Sequence, residues 1–463
     1  MRSYSFTTNA DRMENDLLDE VRQFGAAFVD TPIDVRVEVS DRVRVSVTVG
    51  DGTREFSCNA PQGDRTEVKR LIKRFAKHSL YTALSDISGV RLPWGSLTGI
   101  RPTKLAYAYL SEGGRADGIA EYLSRTFSVR SDRAEIVRRI IETQRRALPD
   151  DLTGEVDLYI HVPFCNGRCD YCSFPSADIN AKGADRLLDG YTDALIKEIG
   201  IVKRYMSDRG LRILSVYIGG GTPSVLGEED ISRLLEAVDC RGAEFTFEAG
   251  RADSLTAGKI DVMKNGGVTR ICVNPQSLND ATLARMGRRH TSADFYEAYS
   301  LAASAGLSIN TDIIAGLDES AEDFERTADG IAALSPDNVT VHTLSRKRAS
   351  LLADTDPYCP DIERMTEYAF RRFGDYEPYY LYRQKNMAGN LENVGFCKRG
   401  TECINNITVM EELVPVFACG AGSISKRISG GVIARYASPK DVGLYIAELD
   451  ERTEKKLLFF DGA

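Results

Sequence analysis

Three cysteines, Cys165, Cys169 and Cys172, stand in the order C-x3-C-x2-C. Thiolates are soft donors, and three of them on one loop can wrap an iron–sulfur cubane while leaving its fourth iron open to another ligand. A structural zinc site is the competing reading. It takes four ligands in paired hooks, and no second C-x2-C or H-x3-H occurs. The other seven cysteines, Cys58, Cys240, Cys272, Cys359, Cys397, Cys403 and Cys419, are scattered and read as core thiols. A glycine-rich turn, Gly219-Gly220-Gly221-Thr222-Pro223, lets backbone approach a ligand closely. The four histidines, His78, His161, His290 and His342, lack a second ligand at metal spacing and read as hydrogen-bonded core or rim residues.

These groups need a scaffold. From 151 onward, short apolar runs at 156–162, 213–219, 243–248, 269–274, 308–315 and 337–343 are separated by helical segments. Buried strands alternating with helices predict βα units and a parallel sheet. The fold class is α/β, and six strands make a partial (β/α)6 TIM-like barrel. Chemistry in such barrels sits at the strand C-terminal ends, where the cysteine loop and the glycine turn both fall.

Residues 1–150 predict a small α+β domain. Alternating valines at 35–39 and 43–49 form a hairpin, and helical patterns run over 11–25, 65–86, 114–127 and 132–147. The stretch 93–104, with the sole tryptophan Trp94, reads as an ordered loop that Trp94 anchors. Aromatics crowd the region after 351, which predicts a third, C-terminal α+β domain over 351–463 that covers the substrate, beside the core at 151–350.

Composition narrows the function. Lys and Arg number 59 against 68 Asp and Glu, a net charge of −9 that argues against a general nucleic-acid binder. No run of about 18 apolar residues offers a membrane span. The acidic N-terminal stretch is neither signal nor transit peptide, which predicts a cytoplasmic, reducing location and free or metal-bound thiols.

The cysteine loop, with Tyr159 six positions before Cys165 and the glycine turn one βα unit later, resembles the radical S-adenosylmethionine (radical SAM) superfamily. The strings Trp94-Gly95-Ser96-Leu97-Thr98-Gly99, Phe247-Glu248-Ala249-Gly250-Arg251, Val341-His342-Thr343-Leu344 and 379–395 resemble its oxygen-independent coproporphyrinogen III dehydrogenase group, in the HemZ-type branch. The resemblance implies a radical SAM barrel with a [4Fe–4S] cluster on Cys165, Cys169 and Cys172 and one or two SAM molecules. It implies SAM contacts from Tyr159, Tyr171, Gly220, Gly221, Thr222, Glu248, Gln276, Arg288 and Asp312. It also implies a 5′-deoxyadenosyl radical, hydrogen abstraction from two propionates and their oxidative decarboxylation to vinyl groups. An electron donor such as flavodoxin or ferredoxin follows as partner.

A tetrapyrrole with four carboxylates needs cations and aromatics around it. Arg346, Lys347, Tyr382, Arg383 and Asn386 are the candidates. One position departs from the resemblance. The established dehydrogenases carry a further cysteine two residues after the last ligand, and here Phe174 stands there, as in the haem-chaperone-like HemW relatives and in the HemZ branch. A haem chaperone keeping cluster and SAM, and a radical SAM enzyme on another anionic substrate, are therefore the alternative readings.

Overall fold

Valines that alternate with polar residues bury one face of a sheet, and they do so in the first of two units. The computed structural model describes residues 5–98, 101–345, 347, 349–352, 359–384 and 387–462. Strands β1 (Phe6–Thr8), β2 (Ile33–Val39), β3 (Arg42–Val49) and β4 (Gly52–Asn59) form a sheet in that order. Helix α1 (Glu14–Arg22) and the long α2 (Arg65–Ser88) accompany it, and Val35, Val43, Val45 and Val47 share a core with Leu17, Leu80 and Leu84. Asp64 caps α2 by accepting from Thr66 N and Glu67 N, and Gly89 ends it in the left-handed region. Helices α3 (Pro102–Ser111), α4 (Ile119–Phe127) and α5 (Ser131–Ala147) follow. The stretch read as a loop over 93–104 thus ends in a helix, opened by Pro102 at its first position, where a missing N–H is harmless.

The division between units falls at Ile141 and Glu142, inside α5, rather than at 150. Arg383, Gln384 and residues 389–391 belong to the first unit. There Arg383 donates to Leu97 O (2.8 Å) and Asn390 O (2.9 Å), and its guanidinium lies 4.9 Å from the centre of the buried Trp94 ring.

The second unit holds the expected parallel strands: β5 (Glu155–Val162), then, after the short pair β6 (Phe164–Cys165) and β7 (Ala177–Asp178), β8 (Arg212–Gly220), β9 (Glu244–Glu248), β10 (Arg270–Cys272), β11 (Ser308–Ala315) and β12 (Asn338–Thr343). Between them run α6 (Ala184–Asp208), α7 (Glu228–Val238), α8 (Ala257–Asn265), α9 (Asp280–Arg285), α10 (Ser292–Ser304) and α11 (Ala321–Leu334). All neighbouring pairs from β5 to β12 are parallel.

The expectation of a separate domain over 351–463 is corrected. After α12 (Ile362–Arg372), β13 (Glu377–Tyr382) and β14 (Asn393–Cys397) extend the same sheet antiparallel beyond β12. After α13 (Ile404–Glu411), β15 (Val416–Cys419) joins the opposite edge parallel to β5, making a seventh parallel strand. A hairpin of β16 (Ile424–Ser429) and β17 (Val432–Ala437) then closes an 11-stranded sheet. Open strand edges present unpaired backbone groups, and these segments satisfy them on both sides of the barrel. Helices α14 (Val442–Ala447) and α15 (Leu449–Asp461) end the chain. Among the described residues no helix is long and apolar enough to cross a membrane.

Candidate functional site

The cysteine loop and the glycine turn are stitched into one structure. Gly221 N donates to Val162 O (2.9 Å) and Thr222 N to Phe164 O (2.7 Å). A Cβ on Gly221 would lie 2.3 Å from Phe164 O, so only glycine allows this approach. Gly220 has φ +115°, and a Cβ there would meet the His161 ring at 2.4 Å. Thr222 Oγ1 lies 3.2 Å from Cys165 Sγ. Cys169 is buried, Cys165 and Cys172 are half-buried, and burial raises the Cys172 thiol pKa. Among the described residues no three His, Cys, Asp or Glu side chains are gathered around the position of a single metal ion. The case for this loop therefore rests on its donor set and surroundings.

The strand ends bring the other expected residues together. Glu248, at the end of β9, has its carboxyl pKa raised to about 8, first by burial and then by Asp312. Gly220 N–H and Tyr217 OH donate to it and oppose that rise. Tyr159 stacks 6.1 Å from Tyr217, and burial keeps its phenol protonated. Arg288 is buried, donating to Tyr171 OH (2.7 Å), Asn274 O (2.7 Å) and Gly250 O (3.0 Å). Gln276 sits at φ +69°, a conformation that few side-chain-bearing residues adopt, and its buried Oε1 has no partner. Asp312 Oδ2 lies 3.5 Å from His342 Nε2, and His342 Nδ1 lies 3.1 Å from Tyr382 OH.

The proposed substrate residues are not all gathered here. Lys347 is half-buried with Nζ 5.8 Å from the centre of the exposed Phe174 ring, and burial lowers its pKa. Tyr382 joins the His342–Asp312 chain, whereas Arg383 is engaged within the first unit as described. Arg346 and Asn386 lie outside the described residues. Two residues of the polar, aromatic string bond to β12: Asn393 Oδ1 accepts from Thr343 N (2.7 Å), and Tyr380 OH meets Thr340 Oγ1 (3.0 Å).

Sequence reasoning gave no role to Arg251, which is buried with Nη1 3.9 Å from Cys169 Sγ. It read His290 as hydrogen-bonded, but both ring nitrogens are buried without a partner. Burial, and then Arg288, pushes the His290 pKa down to about 4, so the ring is neutral near pH 7. A cavity of about 630 Å³ opens elsewhere, lined by residues at the N-terminal ends of β9 to β11, with Arg270 and Arg399 among them. It is remote from the strand ends that carry the cysteine loop.

Residues 159–331 match the family model described as the radical SAM superfamily. The chain is 32% identical over 462 residues, 96% of its length and 91% of the other, to the oxygen-independent coproporphyrinogen-III oxidase-like protein HemZ of Bacillus subtilis. It is 27% identical over 299 residues, 62% of its length and 74% of the other, to the heme chaperone HemW of Haemophilus influenzae. Among solved structures, the coproporphyrinogen III oxidase HemN of Escherichia coli shares the fold. The TM-score is 0.52 at 21% identity, covering 65% of this chain and 70% of that one.

Proposed function

Because the chain belongs to the radical SAM superfamily and, within it, to the family of HemZ-like proteins, we propose that it decarboxylates two propionates of coproporphyrinogen III to vinyl groups, giving protoporphyrinogen IX. The observation that carries this reading is the identity over 96% of the chain, which extends far beyond the barrel motifs. The superfamily uses a [4Fe–4S] cluster and SAM.

The residues fit those groups. Three thiols share one loop, Gly221 leaves a cradle that a Cβ would fill, and Gln276 Oε1 is a buried acceptor lacking a donor. When bound, the cluster and SAM would supply a 5′-deoxyadenosyl radical able to take a hydrogen atom from each propionate, whose loss of CO2 and one electron, to an acceptor, leaves the vinyl group.

Cys165, Cys169 and Cys172 hold the cluster. Tyr159, Tyr171, the Gly220–Gly221 backbone, Thr222, Glu248, Gln276, Arg288 and Asp312 would line the SAM position. Near pH 7 Glu248 retains its proton, and a cationic ligand group placed against it drives that proton off and gains a carboxylate partner. For the tetra-anionic substrate, Lys347 offers a cation beside the Phe174 ring and Tyr382 a phenol. Arg346 and Asn386 remain the other proposed contacts, and a flavodoxin or ferredoxin the proposed donor in the cytoplasm. The 27% identity to the heme chaperone HemW supports a second reading, a haem chaperone that retains cluster and SAM.

Anaerobic reconstitution with dithionite, SAM and coproporphyrinogen III tests this, reading 5′-deoxyadenosine and porphyrin products. The expected result is both deoxyadenosine and vinyl product. Deoxyadenosine without vinyl product overturns the coproporphyrinogen reading, and haem transfer to an apo-acceptor without vinyl product selects the chaperone.

A further inference from the structure

Arg251 has an unusual setting for a residue just past a barrel strand. It is 2% exposed, and its guanidinium is shared between a carboxylate and a sulfur. Nε and Nη2 donate to the two Asp253 oxygens at 3.0 and 2.9 Å, a bidentate grip that fixes the plane of the group. Nη1 then points to Cys169 Sγ at 3.9 Å. Asp253 is itself fixed by Asn166 Nδ2 (3.2 Å), which lies within the cysteine loop.

Arg288 is the second buried guanidinium near this thiol, and its donors go to neutral oxygens of Tyr171, Gly250 and Asn274. His290, 4.0 Å from Asp253, is neutral. Two buried guanidinium groups thus stand near the Cys169 thiol, Arg251 gripped by the Asp253 carboxylate and Arg288 donating to neutral oxygens. A buried cation that faces neutral oxygens is costly unless an anion completes the site.

We propose that Arg251, clamped by Asp253, is a positioning residue that directs a positive charge and an N–H donor at the Cys169 sulfur and thereby raises the reduction potential of the cluster held there. The proposal rests on the cluster reading above. Hydrogen bonds to the sulfurs and nearby net charge are among the levers by which a protein sets an iron–sulfur potential. A cation at 3.9 Å favours the more negative, reduced state, so the cluster accepts an electron more readily with Arg251 than without it.

The test is an EPR-monitored redox titration, without SAM, of full-length reconstituted protein and the variants Arg251→Gln, Arg251→Lys and Asp253→Asn, with iron and sulfide counted for each. Failure of the unsubstituted protein to take up a [4Fe–4S] cluster refutes the cluster reading itself. With the cluster present, Arg251→Gln is expected to shift the oxidised-to-reduced ratio at fixed potential at least tenfold toward oxidised, 59 mV for one electron. Arg251→Lys restores part of that shift, and Asp253→Asn, which frees the guanidinium from its clamp, changes the potential while Arg251 remains. Full cluster content with an unchanged potential in Arg251→Gln overturns the proposal. Loss of the cluster from all three variants also overturns it, because Arg251 then serves the loop's structure alone.

Discussion

At the residue scale, Glu248 concentrates the tension in the site. Its carboxyl pKa stands at about 8 in the folded chain against an ordinary 4.5. Between those values the folded protein holds a proton that the unfolded chain lacks, so stability falls as pH rises. The contribution is complete below pH 4.5 and lost as pH passes through about 8. Glu248→Gln should match the unsubstituted protein near pH 4 and exceed its stability near pH 9, by on the order of 5 kcal/mol. Chemical unfolding at the two pH values reads this, and an equal difference at both would contradict it. The same variant should lose SAM affinity, since the carboxylate is gone. Gly221→Ala adds a methyl at 2.3 Å from Phe164 O, which forces the turn from the cysteine loop. A destabilisation of about 1–3 kcal/mol is expected, and SAM affinity, measured by equilibrium binding, should fall at least tenfold.

At the scale of elements, the six barrel strands were legible because each is an apolar run of ordinary length flanked by helical pattern. The seventh, β15 (Val416–Cys419), is equally apolar but comes long after the βα alternation has stopped, beyond α12, β13, β14 and α13, so no local pattern ties it to the barrel. Its place beside β5 is held instead by a buried ion pair that no local pattern announces. Lys456 of α15 pairs with Glu198 of α6 and donates to Ala418 O, while Glu198 accepts from Gly420 N (2.8 Å) and Tyr445 OH (2.7 Å). Lys456→Met leaves Glu198 buried and unpaired, at an expected loss of about 3–5 kcal/mol. The double variant with Glu198→Leu should recover much of that loss in urea unfolding, and no recovery would mean that packing rather than charge is at issue. The aromatics after 351 suggested an independent domain because their partners are distant in sequence. Phe396 and Tyr380 sit on β14 and β13, which extend the barrel sheet, so among the described residues this region forms no sheet of its own.

At the scale of the whole molecule, the candidate site was largely readable, because its motifs sit directly at strand ends and the barrel's geometry gathers them. Arg251, His290 and the Tyr217–Glu248 contact were not, since their partners converge only after folding. Arg383 was misleading for the same reason: among tyrosines it resembled a carboxylate clamp, yet it lies across Trp94 and binds Leu97 O. The net charge of −9 leaves local basic groups to attract an anionic substrate, with Lys347 the candidate described in the second unit. The central claim is that Cys165, Cys169 and Cys172 hold a cluster with one iron open to SAM. Low-temperature EPR of the dithionite-reduced, reconstituted protein, recorded with and without SAM, tests it most directly. The account predicts a [4Fe–4S]⁺ signal whose g values move when SAM is added and which is absent in Cys169→Ala. A signal that ignores SAM, or that persists in Cys169→Ala, would contradict it.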